Sequence, residues 1–180
     1  MATWPPLQVP SFAAGLGPQA SDMNTWWYNT AGFMQNRVVA RLSQSVSAQS
    51  LPSSGANTTI QFDTVIEDPY SGWQGSPSYA WEPPAGYSAW YQVTITIRTV
   101  ALPALTDLFA GLGGTYSDKL VSIQGAQDAG AGASARFAVY LVGGQDTVTA
   151  VCELLNSGSN ENTSITAGRQ STMEITWLSS

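Results

Sequence analysis

The stretch "YSAWYQVTITIRTV", residues 87–100, limits the possible folds more than any other feature of the chain. Tyr91, Val93, Ile95 and Ile97 fall on one side of it, and Gln92, Thr94, Thr96 and Arg98 on the other. A period of two belongs to a strand with one face on a core and the other in water. The period recurs in "TTIQFDTVIEDPYSGW", residues 58–73, where Ile60, Phe62, Thr64 and Ile66 share one face and Gln61, Asp63, Val65 and Glu67 the other. Three further strands follow near the C-terminus. "RFAVYLV" aligns Phe137, Val139 and Leu141; "TVTAVCELL" aligns Val148, Ala150, Cys152 and Leu154; "STMEITWL" aligns Met173, Ile175 and Trp177.

"KLVSIQG" is a further short strand, and "NSGSNENTSITAGRQ" is expected to hold another around Ser164 to Ala167. "ALPALTDLFAGLGGTYSD" reads as a short helical turn between Pro103 and Ala110, stopped by Gly111, Gly113 and Gly114, and "AQDAGAGASA" as a loop. Many strands joined by Gly, Ser and Asn turns, with no crossover helices between them, require antiparallel neighbours and hence a sandwich or barrel. We expect one β-sandwich domain over residues 49–180.

Residues 1–48 have a different character. "MATWPPLQVPSFAAGLGPQ" places Pro at 5, 6, 10 and 18 and Gly at 15 and 17, which excludes a long helix and favours an extended arm. In "ASDMNTWWYNTAGFMQNRVVARLSQ", Ser21 or Asp22 can cap a helix. Trp26, Tyr28, Phe33, Met34, Val38 and Leu42 recur there at mostly three- and four-residue spacing, with Gly32 able to divide the helix in two. The segment is expected to be a docking arm and helix, with Trp4, Phe12, Trp26, Trp27 and Phe33 as the docking side chains.

Charged residues make up 10% of the 180-residue chain against roughly 25% in ordinary soluble proteins, so much of the surface is expected to face protein. A net charge of −6 with only six Lys and Arg excludes nucleic acid, whose phosphates need clustered cations. No apolar run reaches the ~20 residues of a membrane helix, and the N-terminus lacks the basic start and apolar core of a signal peptide. Membrane insertion is therefore not expected, and folding is expected in a cytoplasm.

The chain contains no histidine, which removes Ser-His-Asp and Cys-His nucleophile systems and common zinc sites. Asp63, Glu67 and Asp68 could in principle serve a paired-carboxylate mechanism or calcium, but they read as a solvated strand face and an Asp-Pro turn. "GLGG" and "AGAGA" lack the strand, helix and Lys-Ser/Thr context of a phosphate cradle. Cys152, the only cysteine, sits at an apolar strand position and reads as structural filler. No enzyme activity, metal or cofactor is expected.

Seven Trp and seven Tyr need another use. Tyr91 and Trp177 belong to inward strand faces. Tyr70, Trp73, Tyr79, Trp81 and Trp90 are candidates for a subunit interface or, alternatively, for a receptor- or glycan-binding platform.

Taken in order, "TTIQFDTVIEDPYSGW", "YSAWYQVTITIRT", "ARFAVYLVGG", "DTVTAVCELLNSGS" and "STMEITWL" resemble the complement and tumour-necrosis-factor-like jelly roll of bacteriophage virion proteins, over about residues 58–178. The marks are the "QFD" strand followed by an Asp-Pro turn and Trp73, the Gly86-Tyr87 opening of the next strand, "Asn-Ser-Gly" after the penultimate long strand, and a Trp in the last. "PSFAAGLGPQASDMNTWWYNTAGFM" is similar to the opening of tail-associated phage proteins, where a Gly-containing lead precedes Ala-Ser-x-x-Asn and a helix. The chain departs from the pattern by inserting "LPALTDLFAGLGGTYSDKLVSIQGAQDAGAG" between two core strands.

The resemblance implies an all-β protein, an antiparallel jelly-roll β-sandwich behind an N-terminal extended arm and short helix. It also implies a homotrimer packed about a threefold axis by aromatic and aliphatic side chains. By the same resemblance the chain is a structural virion protein assembled in the host cytoplasm, either a minor tail protein or a capsid decoration protein. Its partners would be major capsid or tail proteins, with a host cell-surface glycan as the alternative ligand.

Overall fold

A computed structural model describes residues 38–102, 106–116, 119–124, 132–155 and 157–179. The described residues contain strands and no helix: β1 (Val38–Ser43), β2 (Ser50–Leu51), β3 (Thr58–Thr59), β4 (Thr64–Glu67), β5 (Ala89–Arg98), β6 (Asp107–Gly114), β7 (Lys119–Gln124), β8 (Gly132–Leu141), β9 (Val148–Leu155), β10 (Glu161–Asn162) and β11 (Thr172–Ser179). They pair antiparallel in a five-stranded sheet of order β4-β1-β11-β5-β8, a four-stranded sheet of order β3-β9-β6-β7, and a small β10-β2 ribbon. Chain neighbours repeatedly lie in opposite sheets, which is the jelly-roll form of sandwich.

The alternation in β5 positions its sheet. Tyr91, Val93, Ile95 and Ile97 point into the core, and β5 pairs with β8 from Ala89↔Leu141 to Arg98↔Gly132 and with β11 from Thr172↔Thr96 onward. Met173, Ile175 and Trp177 of β11 join the same layer, as expected. Leu108, Ala110 and Leu112 of β6 and Val148, Ala150, Cys152 and Leu154 of β9 complete the core from the other sheet. Burial pushes the Cys152 thiol up to about 12, with Glu153 adding to the shift, as suits a packing residue.

Five sequence expectations are corrected. The helix expected to run through Val38 and Leu42 ends in β1 instead, where Ala40 and Leu42 pack opposite Ile175 and Met173 while Arg41 pairs with Glu174. A four-residue spacing is even, so it fits a strand as well as a helix, and the β-branched Val38-Val39 pair favours the strand. The sheet therefore starts ahead of the domain boundary placed at residue 49. The arm, the rest of the helix, and Trp4, Phe12, Trp26, Trp27 and Phe33 lie outside the described residues.

The second correction concerns the helical turn expected at 103–110, since residues 107–114 form β6 with all three glycines inside the strand. Gly114 has φ +80, and a Cβ there would run into the Thr147 carbonyl, so the close approach of β6 to the strand-entry turn requires glycine.

Thirdly, the loop expected across "AQDAGAGASA" gives way to β8 from Gly132, where Ala133 and Ala135 are small because Ile97 and Ile95 stand opposite. Fourthly, the short strand expected at Ser164–Ala167 is β10, three residues earlier, paired with β2. Finally, residues 58–67 are not one strand. Ile60 and Phe62 are buried and Val65 is exposed, as expected, but Ile66 is exposed too, because the chain leaves the four-stranded sheet after β3 and joins the other as β4.

Candidate functional site

The aromatic turn after β4 is built around Asp68. Its Oδ1 accepts hydrogen bonds from the Gly72 N–H (3.1 Å) and the Trp81 indole Nε1–H (3.2 Å), and its Oδ2 from the Trp73 N–H (2.8 Å). The Asp68 carbonyl accepts from Ser71 N–H at 3.1 Å, closing a turn in which Pro69 presets the backbone and Ser71 takes φ +56. The returning strand is tied across by Gln74 N–H to Ala80 O (2.9 Å) and Glu82 N–H to Gly72 O (3.0 Å). Trp81 and Val148 exchange backbone hydrogen bonds at 2.9 Å in both directions, which stitches the loop to β9.

This wiring turns most of the loop's rings inward. Trp81 is 1% exposed and meets Tyr91 edge-on at 5.5 Å, and Tyr91 in turn meets Trp177 at 5.6 Å. Trp81 is thus a core residue and not part of a platform, because its indole N–H is satisfied inside by Asp68. Tyr70 packs on Tyr87 at 5.3 Å, and Trp73 lies between Phe62 (6.3 Å) and Tyr79 (6.5 Å); these rings are half-buried. Burial, with Tyr87 beside it, raises the Tyr70 phenol above its ordinary range.

Trp90 is placed differently from the loop rings. It is 46% exposed on the outer face of the five-stranded sheet, edge-on at 5.8 Å to Tyr140, itself 40% exposed. Leu178, 43% exposed, flanks them where the β5–β11 register shifts between Trp177 and Ser179. The three form an apolar patch beside the polar residues Gln92, Thr94 and Thr96. Sequence reasoning singled out Trp90 but missed Tyr140 and Leu178. The signal was present in both: each is large and apolar at the outward parity of a strand whose inward parity is already filled by Val139, Leu141 and Trp177.

Two of the acidic candidates, Asp63 and Asp68, are committed to hydrogen bonds from backbone N–H groups. Asp63 accepts from the N–H groups of Ser45 (2.8 Å), Val46 (3.0 Å) and Ser47 (2.8 Å). Partial burial raises its pKa, but these donors and the Thr64 hydroxyl outweigh it, so the carboxyl lies below its ordinary value. Among the described residues no group of three or more acidic, His or Cys side chains could hold a metal ion.

No protein-family model matches the chain, and no curated protein matches its sequence. Solved structures do match. The PRD1 vertex protein P5 aligns with a TM-score of 0.52 at 17% identity, covering 79% of this chain and 97% of that one. Eiger TNF from S. frugiperda aligns with a TM-score of 0.47 at 9% identity, covering 80% and 94%, and murine APRIL with 0.46 at 10%, covering 76% and 98%. The likeness to the vertex protein is one of fold, and it spans nearly the whole of that protein.

Proposed function

We propose that the chain is a structural component of a bacteriophage virion, a homotrimeric jelly roll attached to the capsid or tail. The observation that carries this reading is the Trp90–Tyr140–Leu178 patch left exposed on the five-stranded sheet. Large rings left in water on a flat sheet are characteristic of surfaces that meet protein. A cyclic trimer would bury one such patch per copy, and the chain's low charge suits a molecule surrounded by neighbours. The fold shared with a protein named for a particle vertex supports the same placement. Residues 1–37 would then dock onto capsid or tail proteins through Trp4, Phe12, Trp26, Trp27 and Phe33.

The reading is tested by banding particles from lysed host cells on a density gradient and measuring the chain by quantitative mass spectrometry. Co-banding at a fixed ratio to the major capsid protein, in multiples of three per site, is expected. Recovery of the chain only in the soluble fraction would contradict a structural role.

A further inference from the structure

Behind the Asp68 turn lies an open cleft of about 270 Å³ lined by Tyr70, Ser71, Gly72, Gln74, Glu82, Pro83 and Pro84. Ser71, Gly72, Gln74 and Glu82 are held in its walls by the hydrogen bonds of the loop. Gly72 is pinned by Asp68, and a Cβ on it would come within 2.4 Å of the Glu82 carbonyl and 2.6 Å of Trp81 Nε1, so this wall of the cleft must be glycine. Across the mouth Gln74 Nε2 donates to Glu82 Oε2 at 2.6 Å, which fixes an amide and a carboxylate side by side. Glu82 is one of the lining residues, so its carboxylate brings an anionic acceptor to the cleft.

The chemistry of the lining selects a ligand class. None of its residues is Lys or Arg and one is a carboxylate, so phosphates, sulfates and carboxylates are repelled. Tyrosine and proline rings give flat apolar surface, while the amide and carboxylate give a donor–acceptor pair matched to adjacent hydroxyl groups. The volume falls just below the ~300–1,000 Å³ of sites for drug-sized ligands, which leaves room for a single ring. We propose that this cleft binds one neutral sugar residue, a hexose or N-acetylhexosamine, with its C–H face on the rings and vicinal hydroxyls on Gln74 and Glu82. The cleft shares no residue with the Trp90 patch, so a test of one can fail without the other.

Saturation-transfer NMR on the full chain with free glucose, galactose, mannose, N-acetylglucosamine and N-acetylgalactosamine tests this. At least one sugar is expected to receive saturation, with its apparent Kd raised about tenfold or more by Gln74→Ala and by Glu82→Gln, which keeps the side-chain shape. No transfer to any of the five, or transfer unchanged in both variants, would overturn the proposal.

Discussion

At Asp68 one carboxylate takes the N–H groups of Gly72 and Trp73 and the indole of Trp81, so removing it frees three donors at once. Asp68→Ala is expected to cost about 2–4 kcal/mol, because hydrogen bonds to a charged group are worth more than neutral ones and the freed donors belong to buried or half-buried residues. Asp68→Asn, which keeps one acceptor oxygen, should lose less; chemical denaturation of the three proteins measures both. Asp63 offers the pH counterpart. Its pKa is lower folded than unfolded, so its contribution is present above the unfolded value, near 3.8, and is lost as pH falls through the folded one. The stability difference between the native chain and Asp63→Asn should therefore be largest near neutrality and shrink below about pH 4, as thermal melts across pH would show.

Among the elements, β6 shows how packing overrides local composition. Its "DLFAGLGG" is rich in residues that read as helix and stop, yet Leu108, Ala110 and Leu112 alternate inward, and Gly113 and Gly114 sit where β9 and the Thr147 turn come too close for side chains. Gly114→Ala is expected to destabilise by about 1–3 kcal/mol, from the left-handed φ and the clash with a backbone carbonyl that cannot move aside. A shift in the midpoint of urea unfolding is the readout. β5, β9 and β11 were legible in the sequence because their bulky residues keep period two. β1, β6 and the start of β8 were not, because Ala and Gly carry little periodicity and their placement depends on the large residues opposite, as Ala135 does on Ile95. In the loop, Tyr70, Trp73 and Trp81 could be singled out as rings, but which of them turned inward depended on Asp68, whose three contacts form only once the turn closes.

For the whole molecule, the sandwich satisfies its core within one chain and still leaves Trp90, Tyr140 and Leu178 in water on the five-stranded sheet. Two edge-stacked rings and a leucine on one outward face are surplus to folding, which gives assembly a reason to exist. Truncation can separate the two parts only if it stops before Val38, since β1 lies inside the sheet between β4 and β11. The central claim is that this face joins three copies, and light scattering of the purified full chain beside Trp90→Glu tests it most directly. The native protein should have three times the 19.0 kDa chain mass, and the variant, which sets a charge on the face without touching the core, should fall to one. A native protein of single-chain mass, or a trimer that Trp90→Glu leaves intact, would contradict the account.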